Sequence, residues 1–103
     1  MKTIKKIQQE VKKTLLRKDA LNAMMLNGNT TDTVVVNQQY KALDGDEYQR
    51  FRQQSYFTTH NNALYITTEV RCTCDCDEVI DYSNVRVPTK LAEGVELGPV
   101  VLH

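Results

Sequence analysis

Residues 63–75, ALYITTEVRCTCD, decide the reading of this chain. Leu64, Ile66, Thr68, Val70, Cys72 and Cys74 alternate with Tyr65, Thr67, Glu69, Arg71, Thr73 and Asp75, a period of two that gives an extended strand one buried and one wet face. A wet second face is the habit of antiparallel sheets, so the segment predicts a strand in a mainly antiparallel sheet. Downstream, Val79 to Tyr82 and Val85 to Val87 read as two short strands around a Ser83, Asn84 turn, with Pro88 ending the second. Gly94, Gly98 and Pro99 punctuate a last extended stretch from Val95 to Leu102.

Upstream, Thr31, Thr33, Val34, Val35, Val36 and Tyr40 are β-branched or aromatic and predict a strand over residues 30–43. Asp44, followed three residues later by Glu47, has the spacing of a capping box. It predicts a second helix carrying Tyr48, Phe51, Ser55 and Tyr56 and stopping at Asn61 and Asn62. At the start of the chain, Ile4, Ile7, Val11 and Leu15 recur at spacings of three and four, which places them on one face of a helix. Leu21, Met25 and Leu26 roughly continue that stripe, so one helix to about residue 26 is favoured, although Asp19 would also cap a second one. Asn27, Gly28 and Asn29 close it. The expected fold is α+β in a single domain over residues 1–103: an N-terminal amphipathic helix, a strand, a second helix, then a mainly antiparallel sheet of three or four further strands.

The formal net charge is zero, with 13 basic and 13 acidic residues in 103, but the charges are laid out as a gradient. Residues 1–18 hold seven basic groups against Glu10 alone, whereas residues 69–103 hold three basic against seven acidic. Opposite poles of this kind suit an acidic partner for the basic end, or attraction between ends within or between copies of the chain. No run reaches the roughly 18 apolar residues of a membrane span, and the lysine-rich start lacks the apolar stretch of a secretory signal. Three cysteines leave one thiol unpaired under any intramolecular pairing, which points to a reducing compartment. The expected location is the cytoplasm, with no membrane partner.

Cys72, Cys74 and Cys76 share one side of an extended strand, a spacing a soft metal would accept. Structural zinc takes four ligands from separated pairs, however, and only His60 and His103 remain to complete the set. The expectation is therefore no metal, with Cys72 and Cys74 as small buried hydrophobes continuing the face begun at Leu64. Asp75, Asp77, Glu78 and Asp81 form an acidic turn that fails the calcium-loop pattern, because Val79 and Ile80 interrupt it. No phosphate loop, nucleophile elbow or paired helical histidines are present, so no catalytic residue and no cofactor is expected.

Two sets of cations remain. Lys2, Lys5, Lys6, Lys13 and Arg17 fall on the wet side of the first helix. Arg50, Arg52, Arg71 and Arg86 form an anion site if folding gathers them. Short length, an Asn, Gln, Thr and Lys-rich composition and the absence of catalytic motifs fit the small accessory proteins of bacteria and their viruses. The expected function is a non-enzymatic module, accessory or inhibitory, that acts through protein contacts and as a homo-oligomer. The alternative is binding of nucleic acid or a nucleotide through the basic helix or the arginines.

Overall fold

The computed structural model describes residues 3–42, 45–73 and 78–96, with backbone alone over residues 33–38. The chain is α+β, with helices first and a mainly antiparallel sheet after them. Thr3 caps the first helix, α1 (Ile4–Glu10), its hydroxyl accepting the Lys6 N–H at 3.3 Å. The next turn, Val11–Leu15, widens to a π-helix, closed by the Leu16 N–H on the Val11 carbonyl at 3.2 Å. Leu16 and Arg17 then leave helical geometry, and α2 (Lys18–Leu26) starts afresh.

The single helix expected to residue 26 is thus two helices with a break at Leu16 and Arg17. The break re-phases the apolar stripe. Ile7, Val11 and Leu21 are buried as their spacing implies, but Met24 completes the face while Leu26 is 91% exposed. The closing turn is as expected. Gly28 and Asn29 take positive φ of 73° and 67°, and the Asn29 N–H bonds the Met24 carbonyl at 2.8 Å.

Among the described residues four strands follow as an antiparallel meander in the order β1 (Thr30–Lys41), β2 (Glu47–His60), β3 (Ala63–Cys72) and β4 (Val79–Arg86). The second helix is therefore replaced by the longest strand of the sheet. Its ten residues from Phe51 to His60 pair in register with Cys72 to Ala63, and its other edge pairs with β1. Hydrogen bonding on both edges, together with burial of Phe51 and Phe57, outweighs a helical preference worth only tenths of a kcal/mol per residue. Asn61 and Asn62 are not a helix stop. Both have positive φ, 50° and 62°, which makes them the two-residue turn whose twist matches a hairpin.

The expected turn at Ser83 and Asn84 is likewise absent, because both residues lie inside β4 and pair with Thr68 and Thr67. Pro88 ends that run as foreseen and opens a single turn, α3 (Thr89–Ala92). The stretch expected from Val95 to Leu102 lies outside the described residues beyond Glu96. No helix among the described residues is long and apolar enough to cross a membrane.

The two layers meet on one side of the sheet. Ile7, Val11, Leu21 and Met24 from the helices join Phe51, Phe57, Leu64, Ile66, Val70 and Val85 in one cluster. Each large side chain so buried contributes about 1.5–3 kcal/mol. On β3 the inward residues are Leu64, Ile66, Thr68 and Val70, in agreement with the period read from the sequence. Cys72 corrects its end: as the last residue of β3 it is half-buried rather than buried. Cys74 and Cys76 lie outside the described residues.

Polar groups run through this inner face as well. Thr31, Ser55, Thr68 and Ser83 are partners in register across all four strands. Ser55 and Thr68 share a hydrogen bond at 2.8 Å, while the Ser83 hydroxyl has no partner among the described residues. Near the end of β1, four steps from Val36 to Tyr40 face two on β2, and this bulge carries Tyr40 into the core. The Tyr40 ring packs on Phe51, centroids 5.1 Å apart, and its hydroxyl donates to the Asp81 carboxylate. Tyr40 and Asp81 belong to β1 and β4, the outermost strands among the described residues, which a flat sheet would hold roughly 14 Å apart at ~4.8 Å per spacing. The sheet must therefore curl around its helices.

Candidate functional site: the sheet face turned away from the core

Residues directed away from the core on a strand occupy every second position. On β2 these are Arg50, Arg52, Gln54, Tyr56, Thr58 and His60. On β3 they are Tyr65, Thr67, Glu69 and Arg71, and on β4 Tyr82, Asn84 and Arg86. All four arginines singled out from the sequence thus share one face, because strand parity places them there. Arg52 and Arg71 are directly opposite in register, with Arg50 beside them, and Arg86 stands at the far end opposite Tyr65.

The outer face is ordered by side-chain bonds. Glu69 sits at the centre. It accepts the Tyr56 hydroxyl at 2.7 Å and holds the Arg71 guanidinium through Nε at 3.0 Å and Nη2 at 2.9 Å. Burial, then the bond to Glu69 and its charge, push the Tyr56 phenol up to about 12, against a smaller opposing pull from Arg71. Arg52 approaches Asp32 at 3.8 Å. Among the described residues the two carboxylates on this face of the strands, Asp32 and Glu69, are therefore each matched by an arginine, whereas Arg50 and Arg86 have Val36 and Tyr65 opposite them.

At the Arg86 end lies an open depression of about 440 Å³ lined by Thr58, Thr59, His60, Tyr65, Thr67 and Asn84. Its floor is a chain of hydrogen bonds. Thr67, 6% exposed, donates to Asn84 Oδ1 at 2.6 Å, so its one proton is committed. The 2.9 Å bond to Thr58 must then be donated by Thr58. No carboxylate is among the lining residues.

The lysine set is elsewhere. Lys5, Lys6, Lys13 and Arg17 are exposed on the helical layer, which packs against the opposite side of the sheet, so the two cation sets do not form one surface. Lys2 lies outside the described residues. The acidic turn is corrected at Asp81, which is buried under the sheet with Tyr40 rather than solvated. Glu78 is exposed, its carbonyl taking the Cys72 N–H at 3.0 Å, and Asp75 and Asp77 lie outside the described residues. His60 stands at a hairpin end, not at a helix end. Among the described residues no three His, Cys, Asp or Glu side chains are grouped to hold a metal ion.

Sequence reasoning missed Tyr56, Tyr65, Tyr82, Gln54, Thr58, Thr67 and Asn84 as members of one surface. The Asn61–Asn62 pair between two alternating runs was the signal that would have found them. Comparison with protein-family models, with curated proteins and with solved structures finds no match for this chain.

Proposed function

We propose that the protein is a non-enzymatic binding module, accessory or inhibitory to a protein partner, and that the Arg50 end of the sheet face turned away from the core holds an acidic surface of that partner. One observation carries this reading: Arg50, Arg52 and Arg71 share one face with Tyr56 and Tyr82, and among the described residues Asp32 and Glu69 are the carboxylates that oppose them there. Tyrosine and arginine are the side chains that dominate binding energy at protein interfaces. The Tyr56–Glu69–Arg71 network adds to the case, because groups fixed before contact lose less freedom on binding. Such a module in a bacterium or one of its viruses would work in the cytoplasm, and self-association would multiply its contacts.

The experiment compares captured partners for the unmodified protein, Arg50→Glu/Arg52→Glu, and Lys5→Glu/Lys13→Glu. The reading requires an acidic partner that is lost with the arginine pair and kept with the lysine pair. Loss with the lysine pair alone transfers the function to the basic helix, and with it to the alternative of phosphate contacts, whose affinity falls steeply with salt. Light scattering coupled to chromatography tests self-association, and a strict monomer at tens of micromolar removes it.

A further inference from the structure

We propose that the depression between Tyr65 and Asn84 binds a nucleoside phosphate, the ring against Tyr65 and the phosphate at Arg86. The inference is independent of the protein contact, which uses the other end of the face. Three features carry it. Size comes first: about 440 Å³ falls within the roughly 300–1,000 Å³ of small-ligand sites.

The second is the polarity of the floor. With Thr58 donating to Thr67 and Thr67 to Asn84 Oδ1, the chain of bonds ends on the Asn84 amide, whose two N–H groups meet no acceptor among the described residues and can serve a ligand's. A base edge rich in carbonyl and ring-nitrogen acceptors satisfies such an amide, whereas a ligand of donors alone does not. Thr67 is fixed from both sides and 6% exposed, so the floor is built before any ligand arrives.

The third is charge. No carboxylate lines the depression, Arg86 stands opposite Tyr65 in the same row, and the nearer face carboxylate, Glu69, is already engaged by Tyr56 and Arg71. An anion is thus favoured beside a half-buried aromatic ring, and stacking on that ring contributes on the order of 1–3 kcal/mol per base in other proteins. A flat π-face, an edge of acceptors and an attached anion are together the description of a nucleoside phosphate. Free mononucleotide and a residue of single-stranded RNA or DNA share that chemistry.

The test is a titration of the full-length ¹⁵N-labelled protein with UMP, AMP, uridine, inorganic phosphate and a short single-stranded oligonucleotide. A nucleotide should give saturable shifts centred on Thr58, Tyr65, Thr67, Asn84 and Arg86. Arg86→Ala should weaken UMP about tenfold, equivalent to 1.4 kcal/mol, and leave uridine unchanged. Tyr65→Phe should retain binding and Tyr65→Leu lose it, while Arg50→Glu should have no effect. Tighter, salt-dependent binding of the oligonucleotide through the same residues identifies the source as a nucleic-acid strand; equal per-site affinity identifies it as free nucleotide. No saturable shift at millimolar nucleotide, shifts centred elsewhere, or the same response to inorganic phosphate alone overturns the proposal. A melting curve for each variant shows that it is folded.

Discussion

Tyr40→Phe isolates one bond in the core. The substitution keeps the ring, and with it the contact to Phe51 at 5.1 Å, and removes only the hydroxyl that donates to Asp81. Tyr40 is fully buried and Asp81 is 6% exposed, so water does not readily replace the lost donor. A hydrogen bond to a charged group is worth about 1.5–3 kcal/mol, more than the ~1 kcal/mol of a neutral pair. The variant should therefore lose roughly 2 kcal/mol, which in a domain of about 100 residues lowers Tm by roughly 10 °C. Urea unfolding followed by circular dichroism measures it, and the midpoint should fall with the slope unchanged, since the surface exposed on unfolding is the same. The same pair ties the two edge strands together, so amide exchange should quicken in both β1 and β4 rather than around residue 40 alone. A loss within about 0.5 kcal/mol, the range of an ordinary surface substitution, would falsify the assignment of this bond as a cross-sheet tie.

Asn62→Gly should leave stability unchanged or raise it, and Asn62→Ala should lower it by roughly 1 kcal/mol, because a β-carbon is strained at positive φ; thermal melts check both. Ser83→Ala should be neutral or stabilising, since it removes a buried hydroxyl with no partner among the described residues, whereas Ser55→Ala should cost about 1 kcal/mol by breaking the bond to Thr68; equal losses in urea titrations would contradict this. Alkaline pH should unfold the protein. The phenols of Tyr40 and Tyr56 are raised above the ordinary 10.0 by burial and by their carboxylate partners, so the unfolded chain releases these protons first. The stability they lend is complete below pH 10 and falls as pH rises, through about 12 for Tyr56 and beyond that for Tyr40. Tyrosinate absorbance that follows the pH of free tyrosine in the still-folded protein would refute it.

How much of this was legible in the sequence depended on what each strand turns inward. On β3 the inward residues Leu64, Ile66 and Val70 are apolar and the period of two is plain. On β2 the inward residues include Gln53 and Ser55 while Tyr56 faces outward, so polar and aromatic residues occur on both sides. The alternation is then masked, and Tyr48, Phe51 and Ser55 fall instead at helical spacing. β4 hides in the same way, since Asp81 and Ser83 point into the core and Tyr82 out of it. The inward Ser55–Thr68 pair and the buried Asp81 are tertiary facts, satisfied by partners 13 and 41 residues away that a local window does not contain. The arginines were singled out as residues that folding would have to gather, but placing them on one face required the strand parity that the helix assignment removed.

The turn at Asn61 and Asn62 also bears on the order of assembly. It joins β2 to β3 by the shortest connection in the sheet, and each later strand adds beside its neighbour in sequence. Loop-closure entropy rises with the length of chain to be closed, so this hairpin is the least costly place for order to begin. The sheet can then grow outward in both directions as a zipper, without waiting for a distant segment to arrive. Only the union of its two borders, through Tyr40 and Asp81, needs the whole meander in place. If that contact forms after the barrier, its loss should quicken unfolding and leave the rate of folding nearly untouched.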